Sequence, residues 1–302
     1  MQPLVSPRPS RLAPVGAALL AVALGAVAPG TARSQPVSCP AVTVTTAGTA
    51  VIPFVDWAEN LGYDAHGQLW VARLYRNEVQ RYDSAGRVTA TVPVASPGAI
   101  RLGPDRLLYV VYGDNSLNFV PGGHDSGVVR FDPAADRPVP EVFVSGLTMA
   151  NGADFDAAGN LYIADTGSGV VRVRPDCSLD TAWSDQAQTF GVNGLTVQGD
   201  SVYTTVYLTP QGRLLRIPIA DPSRRSTVAD TVLADDLAVG PGEFLYTATT
   251  SGALLRTDPA TGATCTLLTR DPLAAVAAVP GSPRDLMVAT GRGDILTVRL
   301  GD

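Results

Sequence analysis

Short apolar runs recur along the chain, each directly after a turn that contains glycine or proline. In every run one residue stands at a comparable place: Trp70, Tyr109, Tyr162, Tyr203, Tyr246 and Met287. The gaps between these residues are 39, 53, 41, 43 and 41 positions. A spacing near 40 residues, with little helical periodicity, is typical of four short strands per repeat. The pattern therefore predicts an all-β fold, a six-bladed β-propeller of four-stranded blades.

The two ends of the repeat series complement one another. The last repeat ends with a strand over residues 295–299 and leaves no room for a fourth strand. Residues 41–54 (AVTVTTAGTAVIPF) precede the first repeat and are strand-like. We expect this N-terminal stretch to supply the missing outer strand of blade six. Such a strand would close the ring and remove the free sheet edges.

The longest gap contains an insertion over residues 113–126 (GDNSLNFVPGGHDS), between the second and third strands of blade two. Strand directions alternate within a blade, so this loop lies on the same face as the start of every inner strand. The equivalent loops include residues 73–76, 165–168 and 207–211. Loops on a rigid scaffold often carry function. We therefore expect four residues to surround one mouth of the ring: Arg73, His124, Asp165 and Tyr207.

Oxygen-bearing side chains occupy one repeat position, ten or eleven residues before each mark. They are Glu59, Asn151, Asn193 and Asp236. Blade two has Gly98 there, and blade six has the apolar Val276–Ala277 step. Corresponding positions of successive blades converge on the axis of a propeller, and carboxylate and amide oxygens are hard ligands. The pattern therefore predicts a divalent cation site, with Ca²⁺ favoured and Mg²⁺, Mn²⁺ or Zn²⁺ as alternatives.

Other interpretations of these residues stay open. The pairs Asn151-Gly152 and Asn193-Gly194 are also ordinary turn formers. Asp235 stands beside Asp236, so either could face inward, although the repeat count favours Asp236. Asp165 could simply cap its own loop, and His124 could be a solvent-exposed loop residue.

The first 34 residues have the features of a secretory signal. Arg8 and Arg11 precede an Ala/Leu/Val-rich stretch over residues 15–28, and a small-x-small site places cleavage after Ser34. The stretch is short for a membrane span. We therefore expect a signal peptide over 1–34, a propeller domain over 35–302, and a secreted or periplasmic protein without stable membrane association after cleavage. An uncleaved anchor is the alternative.

The net charge limits the classes of binding partner, and the number of cysteines bears on the cellular compartment. The formal net charge is −6 and no Lys/Arg run exists, which argues against a nucleic-acid partner. A small-molecule substrate or ligand is expected instead. The three cysteines are an odd number for an oxidising compartment. One disulfide with a spare thiol is one outcome, and Cys39–Cys265 is the favoured pair because an N-terminal strand and a late outer strand could be neighbours.

Three runs carry a resemblance to a known family: MANGADFDAAGNLYIADTGSGVVRV (149–173), GVNGLTVQGDSVYTTVY (191–207) and ADDLAVGPGEFLYTA (234–248). They resemble the gluconolactonase/senescence-marker family of six-bladed propellers, over residues 56–300. The resemblance implies a divalent cation, often calcium, held by Glu, Asn, Asn and Asp from blades one, three, four and five. These are Glu59, Asn151, Asn193 and Asp236 here. It also implies lactone hydrolysis, with the aspartate ligand, here Asp236, as the base.

The chain departs from that family at positions that would contact substrate. Met149 stands where the family commonly has an arginine that grips sugar acids, which suggests a less polar lactone or ester. Arg73 replaces a typical aspartate. The hypothesis is a secreted, metal-dependent lactonase- or esterase-like hydrolase; the alternative is a non-catalytic propeller that binds a small molecule or protein around a structural calcium ion. The predicted substrate-binding residues are Met149, Asp165, Tyr207, His124 and Arg73.

Overall fold

The computed structural model describes residues 38–120, 123 and 125–301. The predicted signal segment 1–34 and His124 lie outside these described residues. The described part of the chain forms six antiparallel sheets whose inner strands contact one another in succession around an axis. This arrangement confirms the six-bladed β-propeller.

Each sheet forms one blade, and its strands follow one another outward from the innermost, except that the N-terminal strand of the chain is the outermost strand of blade six. The closing strand and blades one to three are β1 (Val42–Gly48); β2 (Ala58–Tyr63), β3 (Leu69–Arg73), β4 (Glu78–Tyr82), β5 (Val88–Pro93); β6 (Ile100–Leu102), β7 (Leu108–Tyr112), β8 (Ser126–Phe131), β9 (Glu141–Leu147); and β10 (Ala150–Phe155), β11 (Leu161–Asp165), β12 (Gly169–Val173). Blades four to six are β13 (Val192–Gln198), β14 (Ser201–Val206), β15 (Arg213–Pro218), β16 (Ser226–Ala229); β17 (Ala234–Val239), β18 (Leu245–Thr249), β19 (Ala253–Thr257), β20 (Thr264–Thr269); and β21 (Leu273–Ala278), β22 (Asp285–Thr290), β23 (Ile295–Leu300).

Helical structure in the described residues is confined to single turns. They are α1 (Thr181–Ser184) and the 3₁₀ turns Leu74–Arg76, Ser116–Phe119, Pro222–Arg224 and Pro241–Glu243. Across the described ranges, no helix has the length and apolar character needed to cross a membrane.

Blade three departs from the predicted four strands, since α1 takes the place of its outer strand. Asp180 caps this turn by accepting from the Trp183 backbone nitrogen at 3.3 Å. Its carboxylate also pairs with the Arg172 guanidinium. The Trp183 ring packs against Tyr162, with ring centroids 5.1 Å apart. A helix cap and a buried indole therefore stabilise this edge where a strand was expected.

The N-terminal strand closes the ring, as predicted. β1 pairs antiparallel with β23, from Val42↔Leu300 to Gly48↔Ile295. A disulfide joins Cys39 to Cys265 in β20, with the Cα atoms 5.8 Å apart, which confirms the favoured pairing. Cys177 is free and exposed. The cross-link spans 226 positions, so it restricts the unfolded chain and ties the closing segment to blade five.

The repeat that marks the sequence arises from one packing unit. The marker residue of each second strand packs between blades; Trp70, Tyr162 and Tyr246 are fully buried, whereas Met287 of blade six is half-buried. The ring N–H or O–H donates a hydrogen bond to the turn that precedes the strand. Trp70 Nε1 donates to Asp64 at 3.0 Å, and the Tyr162 hydroxyl donates to Asp156 at 3.0 Å. A buried ring with its polar atom satisfied in this way fixes each turn and the spacing of the strands.

Candidate functional site

A shared irregularity opens the inner strands at the axis. In β2, β10, β13, β17 and β21 the pairing register shifts just after the first residue. A β-bulge of this kind redirects a side chain away from the regular alternation. The residues at the shifts include Glu59, Asn151, Asn193, Asp235 and, in blade six, Ala274. Four oxygen-bearing side chains thus occupy one structural position.

The structure places Asp235, rather than Asp236, at this position. Asp235 lies in the shift between the pairs Ala234↔Thr249 and Asp236↔Ala248. Asp236 belongs to the regular part of β17, one layer deeper along the axis. The sequence had left this choice open and favoured Asp236. Eleven positions separate Asp235 from Tyr246, the same count as from Glu59 to Trp70.

The two Asn-Gly pairs lie inside strands and do not form turns. Their glycines allow neighbouring inner strands to approach closely. A Cβ on Gly152 would lie 2.6 Å from the Asn193 carbonyl oxygen, and one on Gly194 would lie 2.6 Å from the Asp236 Cα. Because no side chain fits there, blades three, four and five can bring Asn151, Asn193 and Asp235 together at the axis.

Hydrogen bonds join two of these residues, Glu59 and Asn151, to a further acidic residue, Asp114. Trp57 Nε1 donates to Glu59 Oε2 at 2.6 Å. The Asn151 Nδ2 donates to Glu59 Oε1 at 3.2 Å and to Asp114 Oδ2 at 2.9 Å. Asp114 comes from the blade-two insertion and was not predicted, since it has no counterpart in the repeat. We call Glu59, Asp114, Asn151, Asn193 and Asp235 the axial cluster.

The carboxyl groups of the axial cluster destabilise one another's charge. Burial raises the pKa of Glu59 well above its usual range, and the nearby Asp235 and Asp114 raise it further. The pKa of Asp235 is raised well above its usual range by burial and by the charges of Asp114 and Asp236. Burial raises the pKa of Asp114 to about 6, although interactions with Asn151 and Glu59 favour its charged form. The surroundings of the cluster therefore disfavour the simultaneous ionisation of its three carboxyl groups.

A second polar layer lies directly below the axial cluster. Asn60 Nδ2 donates to Asp236 Oδ2 at 3.0 Å, and Arg101 Nη1 donates to Asn60 Oδ1 at 2.9 Å. Arg101 Nη2 lies 3.9 Å from Asp236 Oδ1. Burial raises the pKa of Asp236 to about 6, while the charge of Arg101 opposes that shift. We call Asn60, Arg101 and Asp236 the lower layer.

The donor atoms of the axial cluster suit a hard cation. The Asn193 Oδ1 is buried and has no hydrogen-bond partner among the described residues. Half a turn of the Asn151 amide would exchange its NH₂ for an oxygen at the same place. Three carboxyl groups and two amide oxygens are the donor types that Ca²⁺ takes. As they stand, no three His, Cys, Asp or Glu side chains within the described ranges form a metal-binding group.

The other predicted substrate-binding residues have different surroundings. The Arg73 Nη1 donates to the Asp56 and Gly293 carbonyl oxygens at 2.6 and 2.8 Å, so this buried side chain ties blade one to blade six. Asp165 accepts from the Thr148 and Met149 backbone nitrogens at 3.1 and 2.7 Å. Asp165 also accepts from Ser168 Oγ at 2.6 Å, so it caps its own loop, one of the two roles considered for it, and holds the turn before β10 as well.

Met149 and Tyr207 lie nearer the mouth. The Met149 side chain is half-buried, two residues before Asn151, and its backbone is held by Asp165. Tyr207 is half-buried and its hydroxyl is hydrogen-bonded to Thr250 Oγ1 at 2.9 Å, across blades four and five. Both residues therefore belong to loops that surround the axial cluster.

Exposed apolar side chains concentrate on the loops of the same face. We call this set the apolar rim: Val51, Ile52, Phe54, Val55, Tyr75, Leu117, Phe119, Val120, Phe190, Leu208, Val232 and Leu233. Phe119 of the insertion contacts Phe190 of the loop before β13, with ring centroids 6.3 Å apart. The Tyr75 ring packs against the Trp57 ring, with ring centroids 6.2 Å apart. An acidic centre is thus surrounded by an apolar surface.

Solved structures share this architecture. No family profile matches the chain, and no curated protein matches it. A gluconolactonase from Xanthomonas campestris is 14% identical over 89% of this chain and 99% of its own, with a TM-score of 0.67. An aldose sugar dehydrogenase from Streptomyces coelicolor, in its PQQ-bound form, is 17% identical over 88% and 100%, with a TM-score of 0.65. A luciferin-regenerating enzyme is 12% identical over 85% and 95%, with a TM-score of 0.63. The resemblance to gluconolactonase propellers is confirmed in the fold.

Proposed function

We propose that the chain is a lactonase- or esterase-like hydrolase that works with a divalent cation, Ca²⁺ being the first choice. Glu59, Asn151, Asn193 and Asp235 would hold the cation. The observation that supports this most is the group of buried carboxyls at the axis, whose pKa values are raised by burial and by one another. No ion pair among the described residues neutralises them, and a dication would do so.

A bound cation would polarise an ester carbonyl and make a bound water more acidic. The protein's own residues position the reaction. Trp57 fixes one oxygen of Glu59, and Asn151 links the other oxygen to Asp114. The Asp235 carboxylate accepts no hydrogen bond from the described residues, so it is free to take a proton from an attacking water. We therefore assign the base to Asp235.

Asp236 has a supporting role in this proposal. Its Oδ2 accepts from Asn60 at 3.0 Å, whereas its Oδ1 has no hydrogen-bond partner among the described residues and lies 3.9 Å from Arg101 Nη2. A carboxylate with a guanidinium beside it in this layer is a weaker base toward substrate water than Asp235. Asp236 instead closes the floor and adjoins Asp235 along β17.

The surface around the site favours an apolar substrate. Met149 and the apolar rim provide contact for an acyl or aromatic group, and burial of such a group contributes about 25 cal/mol per Å². The acidic centre would repel an anionic sugar acid. The gluconolactonase among the structural neighbours supports a lactone as the reacting group. We propose a neutral lactone or ester with an apolar substituent.

We also propose that the protein works outside the cytoplasm. Disulfides persist in oxidising compartments, and the Cys39–Cys265 bond supports such a location. Calcium is abundant there. N-terminal sequencing of the exported protein tests the cleavage after Ser34.

The function is tested by metal analysis and by hydrolysis of a lactone and ester panel that ranges from aldonolactones to lactones with long alkyl chains. Each substrate is assayed before chelation, after chelation and after Ca²⁺ is restored. We expect activity toward the apolar members that chelation abolishes and Ca²⁺ restores. Bound metal without hydrolysis of any member would instead support a binding propeller with a structural ion.

A further inference from the structure

The inner strand of blade two cannot supply an oxygen donor to the axial cluster. Gly98 stands at its repeat position, and a Cβ there would lie 2.8 Å from the Asn151 carbonyl oxygen. Strand β6 is short, and its pairing with β7 shows no register shift. The repeat position that holds a donor in four other blades is therefore empty in blade two.

The insertion brings a carboxylate to the same place by another route. Asp114 lies two residues after the end of β7, and its Oδ2 lies 2.9 Å from the Asn151 nitrogen that also contacts Glu59. The Asp114 backbone nitrogen donates to the Ser96 carbonyl at 3.0 Å. Asp114 is thus anchored both through its backbone and through its side chain.

The loop around Asp114 is built to hold it there. Gly113 has a φ of 78°, and a Cβ on it would lie 2.2 Å from the Asp125 carbonyl oxygen, so only glycine fits. The buried Asn118 donates from Nδ2 to the Gly113 carbonyl at 2.8 Å. These contacts close the base of the insertion and fix the direction in which Asp114 leaves it.

We propose that Asp114 is a fifth oxygen donor of the axial cation site, supplied by the insertion in place of the missing blade-two donor. The inference rests on the proposed function for the existence of the cation. Asn193 is only 8% exposed, and its Oδ1 has no hydrogen-bond partner among the described residues, which independently marks the centre as a ligand position. A third carboxylate raises the charge of the site, and charge count is one determinant of calcium affinity.

A purely structural role for Asp114 makes a different prediction. In that case Asp114 would only orient the Asn151 amide. Asp114→Asn keeps an oxygen that can accept from the Asn151 nitrogen, so it preserves this orientation but removes the charge. A cation site should weaken in this variant, whereas a structural contact should not change.

Terbium luminescence provides a readout that does not depend on activity. Tb³⁺ binds where Ca²⁺ binds, and its emission is sensitised by a nearby indole. Trp57 donates to Glu59 at 2.6 Å, whereas Trp70 and Trp183 bond to Asp64 and to the Ile219 carbonyl, away from the cluster. Tb³⁺ titration of the full chain, followed by Ca²⁺ competition, therefore measures affinity at the axis.

We expect Asp114→Asn to weaken Tb³⁺ and Ca²⁺ binding by roughly tenfold or more. The matched control is Asp125→Asn, an exposed carboxylate of the same insertion, which should bind as the wild type does. Thermal melts of both variants verify that they are folded. Asp114→Ala, which removes the oxygen as well, should weaken binding at least as much.

The outcomes separate this inference from the proposed function. If the wild type and Asp114→Asn bind equally while Asp235→Asn does not bind, the role of Asp114 is wrong and the cation site stands. If the wild type does not bind Tb³⁺ or Ca²⁺, both the proposed cation site and the fifth donor are wrong.

Discussion

The axial cluster and the lower layer use the same residue types one position apart, yet their surroundings differ. Glu59 and Asp235 belong to the upper set, and Asn60 and Asp236 directly follow them in β2 and β17. Asp236 has an amide and a guanidinium beside it. The upper carboxyls face one another. In our proposal, the carboxyl group with a guanidinium beside it supports the structure, whereas the carboxyl groups that face one another hold the cation.

The strongest test of this difference between the axial cluster and the lower layer is to remove one carboxylate charge from each. We expect Asp235→Asn to lower hydrolysis roughly 100-fold or more, since it removes the residue proposed as both the base and a cation donor. Asp236→Asn should retain most of the activity. The measurement is kcat/KM on the best apolar lactone, with cation affinity recorded in parallel.

The reverse result would restore Asp236 as the catalytic residue. That outcome would require the Asp236 carboxylate to leave Asn60 and reach the mouth. Equal losses in both variants would mean that the two layers act as one unit.

The second prediction concerns the lower layer. Arg101→Met should destabilise the fold by about 2–4 kcal/mol, because it leaves Asp236 buried with only neutral donors. Urea unfolding measures the change. Arg87→Met is the matched control: this exposed arginine pairs with Asp83 at the surface, and its loss should cost much less. A similar effect of both substitutions would show that Arg101 is not needed to balance Asp236.

The fold could be predicted from the sequence because each repeat corresponds to one packing unit. Trp70 and Tyr162 mark blades by filling the space between sheets and bonding to the aspartate of the preceding turn. That unit cannot move by one residue without burying an unsatisfied polar atom. The outer edge of blade three lacks it, and there Trp183 follows its own helix cap.

The site was less accessible from the sequence, for two reasons. A bulge adds one residue to an inner strand, so counting back from Tyr246 could not by itself decide between Asp235 and Asp236. Asp114 lies in an insertion outside the repeat, and only the folded loop brings it to Asn151. Glu59, Asn151 and Asn193 follow the repeat, and each lies at the register shift of its inner strand; their role as cation ligands stays a prediction.

The third prediction uses pH to separate the layers. Burial places the folded pKa of Asp114 and Asp236 at about 6, above the value for an unfolded chain, and places Glu59 and Asp235 higher still. The folded state thus binds more protons at intermediate pH. Stability from these groups is present below about pH 4 and lost as pH rises through about 6 and beyond.

We therefore expect the melting temperature of the chelated protein to fall by about 5 °C between pH 5 and pH 8. Saturating Ca²⁺ should remove the share that comes from the axial cluster and leave the share from Asp236. Calorimetry at both pH values, with and without Ca²⁺, measures these shares. If Ca²⁺ does not change the difference in melting temperature between pH 5 and pH 8, the groups that titrate lie outside the proposed cation site.

The smallest expected effect concerns the apolar rim, whose substitution should change the KM for substrate but not the affinity for the cation. Phe190 is 59% exposed and contacts Phe119 across the mouth. Phe190→Ser should raise KM about three- to tenfold for lactones with apolar substituents, because it removes apolar contact area worth about 1 kcal/mol. Cation affinity should not change. Val139→Ser, at an exposed position between β8 and β9, is the control and should leave both quantities unchanged. If KM rises equally for small polar lactones, the rim shapes the mouth without selecting the apolar group, and the substrate class proposed for this site is wrong.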